Sequence, residues 1–125
     1  MQPILLVMAG GAIGSALRYG VSMFAAHRLS AGFPWGTWLV NLAGGLAVGL
    51  LLGLIIARGG GGETLRLFVG TGLLGGFTTF SAFSAETAFM IVNGQPWLAG
   101  VYVFTSVLGA LALTFVGLWL SGAGG

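Results

Sequence analysis

GLLGGFTTFSAFSAET, residues 72–87, interrupts a long apolar segment with two adjacent glycines, Gly75 and Gly76, followed by the hydroxyl residues Thr78, Thr79, Ser81, Ser84 and Thr87. The segment around it, residues 65–92, is longer than the roughly 20 apolar residues that a helix needs to cross a bilayer. Glycines and hydroxyl residues at the middle of such a span are how a broken helix reads in sequence, and freed backbone at that depth is tolerated only where protein or a polar cavity receives it. A single long, tilted helix is the other reading. Phe80 and Phe83, three apart, fall on one side of a helix, and aromatic rims carry the positive end of the ring quadrupole. A dehydrated small anion can lie against such rims; ordinary core packing is the plainer role for the pair.

Working outward, three further segments are long and apolar enough to span, at residues 4–26, 37–57 and 97–120. The turn-rich pieces HRLSAGFPWG, RGGGGE and NGQP separate the four. The expected architecture is a single all-α domain over residues 1–125, with four transmembrane helices of which the third is broken. No Lys or Arg precedes the first apolar run, which outlasts a signal-peptide core and takes Arg18 inside it, so it reads as a retained span.

Composition agrees. Of 125 residues, 57% are hydrophobic and 5% charged, against about 25% charged in soluble domains, and the mean hydropathy is +1.05. The net charge of +2 comes from four arginines without a lysine. These do not cluster into the basic face that neutralises nucleic-acid phosphates, so nucleic-acid binding is excluded. There is no cysteine, hence no disulfide, thiol nucleophile or thiolate metal site, and the single histidine, His27, is expected in a loop. No catalysis is expected. Arg28 lies on one side of the membrane and Arg58 and Arg66 on the other, a difference of one. Such a weak positive-inside signal suits insertion in both orientations, and opposed copies can meet as a two-fold pair; one orientation set by the small excess is the alternative.

The 25 glycines, against an average usage of about 7%, fall in register. Gly45, Gly49 and Gly53 recur every fourth residue, as do Gly10 and Gly14, which lets helices approach closely in lipid. Carried toward the N-terminus, the first stripe meets Asn41 and Thr37, so that face turns away from lipid. Asn41 there either bonds across helices or lines an ion path. Two ionisable groups lie inside spans, each costing ~2.5–3.5 kcal/mol at a helix centre. Arg18 reads as a structural charge that snorkels or ties down a neighbouring segment. Glu86 is open to three readings: protonated, hydrogen-bonded, or exposed in a vestibule.

GGFTTFSAFSAE at residues 75–86, GGAIGSALRY at 10–19 and GTWLVNLAGG at 36–45 together resemble the CrcB/Fluc fluoride channels, over all four spans in order and at the same size. The resemblance implies an antiparallel, dual-topology homodimer in the inner (plasma) membrane. Two separate pathways in it would export fluoride from the cytoplasm down its electrochemical gradient, lowering cytoplasmic fluoride. It puts Phe80 and Phe83 at the phenylalanines that line each pathway and Asn41 at the pore asparagine. Thr37, Thr79, Tyr102 and Ser106 extend the hydrogen-bonding track, and Glu86 is the carboxylate near a pore end. Gly75 and Thr78 stand where backbone carbonyls of both subunits hold a structural sodium ion at the dimer centre. One departure is Ala82, where the family commonly has a hydroxyl; Ser81 and Ser84 remain nearby, and Ala110 leaves no hydroxyl one turn beyond Ser106.

Two rivals stand beside this reading. A small multidrug-type proton-coupled exporter also has four spans but needs a carboxylate in its first helix, where this chain carries Arg18. A non-transporting membrane scaffold accounts for the glycine stripes and leaves the polar third span without a purpose.

Overall fold

The computed structural model describes residues 2–29, 32–60 and 62–122, and among these every regular element is helical. Helix α1 covers Pro3–Arg28 and α2 covers Trp35–Ala57. The third span is built in pieces: α3 (Glu63–Leu65), a π-helical segment (Arg66–Leu74), α4 (Gly75–Phe77) and α5 (Ser81–Val92). Helix α6 covers Pro96–Leu120. Among the described residues, four stretches are long and apolar enough to cross a membrane: Pro3–Arg28, Trp35–Ala57, Glu63–Val92 and Pro96–Leu120.

Each helix begins slightly earlier than hydropathy alone suggests. Pro3 and Pro96 occupy the first turn of α1 and α6, where the missing N–H costs nothing and the fixed φ already suits a helix. The stops are set by left-handed glycines: Gly59 and Gly60 after α2, Gly94 after α5 and Gly122 after α6 all have positive φ, a conformation that side chains other than glycine resist.

Glycine also decides which helices touch. On α2, a Cβ at Gly45 would lie 2.7 Å from the Ala110 carbonyl oxygen of α6, and one at Gly49 would collide with the Thr114 carbonyl. Thr114 Oγ1 donates across the same seam to Gly45 O at 2.9 Å. The second seam joins α1 to the third span, where a Cβ at Gly10 would lie 2.7 Å from Leu73 N and one at Gly76 2.6 Å from Gly11 O. Here backbone rests on backbone, the close approach that small residues permit in lipid. We therefore expect Gly49→Ala to destabilise the fold by about 1–3 kcal/mol, the usual cost of overpacking. Gly100→Ala, where an added Cβ meets nothing within 4 Å, should be near neutral. Thermal unfolding in detergent separates the two, and equal midpoints would mean that the α2–α6 seam has slack.

The π-helical stretch Arg66–Leu74 has no counterpart in the hydropathy pattern. Its hydrogen bonds close i→i+5 rings, so it is wider than an α-helix, and it presents Gly72 to Gly10 of α1 at 3.0 Å from an added Cβ. The side chain of Arg18 fixes the same seam, its Nε donating to Gly76 O at 3.2 Å. Arg18 thus ties α1 to α4. Many outward-facing residues are large and apolar, among them Ile4, Phe104, Phe115 and Trp119, as lipid-facing surfaces require.

Candidate ion pathway

Between α4 and α5 the helical ladder stops for three residues. Thr78 is extended, with φ −85° and ψ 160°, and the groups that a continuous helix would pair internally find partners elsewhere. The Thr79 N–H donates to Asn41 Oδ1 at 3.0 Å, and Asn41 Nδ2 donates back to Thr79 O at 3.0 Å. One side-chain amide on α2 therefore stands in for a missing peptide unit and satisfies both backbone groups of one residue. The Thr79 hydroxyl restarts the chain as a helix, accepting from the Ala82 N–H at 3.2 Å in the manner of an N-cap. Thr78 is seated by Gly44, whose hydrogen leaves room for the Thr78 methyl.

Around this interruption lies a groove of about 340 Å³. Helix α2 contributes Asn41, Gly44, Gly45 and Val48; the third span contributes Thr78, Thr79, Phe80 and Phe83; α6 contributes Ser106, Val107, Ala110 and Thr114. Five of the eight residues expected along a fluoride path meet here: Asn41, Thr79, Phe80, Phe83 and Ser106. Phe80 is 79% exposed at the lip, its ring centroid 5.9 Å from that of half-buried Phe83. Ser106 is buried, and its Oγ has no hydrogen-bond partner among the described residues. An orphaned buried hydroxyl costs about 1–3 kcal/mol, so one beside a groove in that state calls for something to bond.

The other three expected residues form a second group at one end. Tyr102, fully buried, donates its hydroxyl to Glu86 Oε1 at 2.9 Å, with Thr37 beside it. Of the three readings open for Glu86, the structure makes it a hydrogen-bond acceptor that also faces open space. It lines one hollow of about 320 Å³ with Ser22, Phe33 and Thr37, and another of about 570 Å³ with Phe89, Asn93 and Gln95. The two groups are joined through rings, Phe83 lying 5.0 Å from Tyr102. Gly75 is exposed and is not part of the groove, and neither is Arg18.

Sequence reasoning passed over Thr114, which lines the groove and bonds Gly45. It lies eight residues after Ser106, on the same helix face, so counting on past Ala110 finds it. Trp38 was also missed; its Nε1 donates to Thr105 Oγ1 at 3.0 Å and clamps α2 to α6 beside Tyr102.

An all-helical chain of four bilayer-length spans, with an open groove at an interruption of the third, is a small multi-pass membrane protein. The model of the CrcB family, described as CrcB-like protein, Camphor Resistance (CrcB), matches residues 5–118, and the chain belongs to that family. It is 51% identical over 122 residues to the fluoride-specific ion channel FluC of Hyphomonas neptunium, covering 97% of this chain and 96% of that one. Identity to the FluC of Sphingopyxis alaskensis is 50% over 120 residues, covering 96% and 95%. To that of Chloroflexus aurantiacus it is 45% over 121 residues, again covering 96% and 95%. The chain is accordingly a multi-pass protein of the inner membrane and not an enzyme.

Proposed function

We propose that this protein is a fluoride-selective channel through which fluoride leaves the cytoplasm down its electrochemical gradient. The observation that carries the reading is the buried, unpartnered hydroxyl of Ser106 in a groove shared with Asn41 and two phenylalanines. Relatives about half identical over nearly their whole length bear the name of such channels.

Fluoride is small and holds its water tightly, so a path for it must offer donors in place of that water. Asn41 has a second amide N–H beyond the one given to Thr79 O, Ser106 has a free hydroxyl, and Phe80 and Phe83 offer positive ring rims. Larger anions gain less from the same donors and fit a narrow path less well. The groove is open along the side where Phe80 stands exposed. A second copy, inverted in the membrane, closes it in this reading, in keeping with the near balance of Arg28 against Arg58 and Arg66.

The same reading gives the interruption a cation. Because the Thr79 N–H is taken by Asn41, Gly75 O loses its α-helical donor, and the extended Thr78 turns its own carbonyl out of the helix axis. Two such carbonyls, doubled by an inverted copy, suit a hard ion such as sodium, which would supply fixed positive charge at the centre of the pair.

Proteoliposomes test all of this. Fluoride efflux with chloride retained supports the channel; proton-coupled release of organic cations would point to an exporter, and silence to a scaffold. Ser106→Ala should lower efflux by about fivefold, the scale of one lost donor. Its thermal stability should hold or rise, because the orphaned hydroxyl goes with it. A stability loss without a flux change would show that the hydroxyl bonds within the protein.

A further inference from the structure

The connection between α1 and α2 places one more ring against the Tyr102–Glu86 pair. Phe33 meets Tyr102 edge-on, with centroids 5.3 Å apart and planes at 89°. It is braced from behind by Trp35 at 4.6 Å and Trp38 at 6.2 Å, and Trp38 is anchored to α6 through Thr105. Phe33 and Glu86 both line the two hollows at this end, so the Phe33 ring is part of the wall between them.

A tyrosine hydroxyl points wherever its ring is held. The Tyr102 ring is held on one side by Phe83, at 5.0 Å and 43°, and on another by Phe33. Removing Phe33 would merge the two hollows, extend that space to Tyr102 and leave the ring free to swing toward it. Its hydroxyl would then leave Glu86. Phe33 itself does not line the groove, so its effect there passes through Tyr102.

Resting on the fluoride-channel reading, we propose that Phe33 is a positioning residue: from the α1–α2 connection it aims the Tyr102 hydroxyl at Glu86, setting how readily ions enter the groove from this end. The rings of Phe33, Tyr102, Phe83 and Phe80 form an unbroken ladder from that connection to the interruption of the third span.

The test is fluoride efflux from proteoliposomes holding Phe33→Ala, Phe33→Leu, Phe33→Tyr, Tyr102→Phe and the double variant Phe33→Ala/Tyr102→Phe. Phe33→Ala should lower efflux by about fivefold, the scale of one well-aligned hydrogen bond. Phe33→Leu, which keeps most of the volume, should fall by a smaller factor, and Phe33→Tyr should restore wild-type flux. In the Tyr102→Phe background, Phe33→Ala should add no further loss, since the hydroxyl it aims is already gone. A merely packing role predicts the opposite, because the phenyl ring left by Tyr102→Phe would still need its neighbour. An undiminished loss in the double variant, or wild-type efflux in Phe33→Ala, overturns the proposal. A second readout does not depend on ion flow. With Tyr19→Phe leaving Tyr102 as the sole tyrosine, 3-fluorotyrosine at that position should give one narrow ¹⁹F resonance that shifts and broadens in Phe33→Ala and Phe33→Leu. An unmoved resonance refutes positioning. A moved one in liposomes whose wild type releases no fluoride would sink the channel reading while keeping Phe33 as the residue that aims Tyr102.

Discussion

Asn41→Asp is expected to lower fluoride efflux by about 100-fold or more. The substitution keeps size and shape and changes two things at once. Asn41 now donates to Thr79 O and accepts from Thr79 N–H, each at 3.0 Å; an ionised aspartate keeps the acceptor and loses the donor. Thr79 O is left facing a carboxylate oxygen, and an unsatisfied buried group of that kind costs about 1–3 kcal/mol, with about 1.4 kcal/mol to each factor of ten. The new negative charge also stands in the groove, where it repels an anion. Asn41→Ala separates these contributions: it loses the brace without adding charge, and should conduct better than the aspartate variant. Efflux from Asn41→Asp liposomes equal to wild type would remove Asn41 from the path and from the brace alike.

The second large effect is that of Phe80→Ile, which should cut efflux by at least about tenfold by removing the ring rim proposed to replace part of the ion's hydration. Stability should barely respond. Phe80 is 79% exposed and its one ring neighbour on the groove side is Phe83 at 5.9 Å, so isoleucine should change the unfolding free energy by no more than about 0.5 kcal/mol. The proposed pairing of copies, followed by size-exclusion chromatography in detergent, should also survive. Normal flux in a properly assembled variant would deny the ring edge any part in conduction, and a collapse of assembly would assign Phe80 to the interface between copies.

Asn41 illustrates how a sequence pattern locates a residue without saying what it does. Its place on the face that runs from Thr37 through Gly45, Gly49 and Gly53 was readable from spacing, and so was the conclusion that this face avoids lipid. Its two bonds to Thr79 were not, because they join residues 38 apart. Glu86 is similar. Sequence left it open among three environments, and the deciding partner, Tyr102, comes from another helix. Thr37 and Tyr102 were expected along one track with Asn41 and Ser106, and Glu86 near a pore end; the structure gathers these three beside one another, with the Phe83 ring of the groove 5.0 Å from that of Tyr102.

Local composition was enough for the four spans, their turns and the glycine faces, because hydrophobic length, proline, and glycine in positive φ or close packing act through a residue and its immediate neighbours. It was also enough to mark residues 72–87 as unlike an ordinary membrane helix. The π-helical geometry of Arg66–Leu74, the brace of Thr79 by Asn41, the bond between Tyr102 and Glu86 and the solitude of the Ser106 hydroxyl depend on which helix lies against which and at what height. Those relations arise only when distant segments pack, since a hydrogen bond is made or lost over a few tenths of an ångström and periodicity fixes a helix face without fixing its partner.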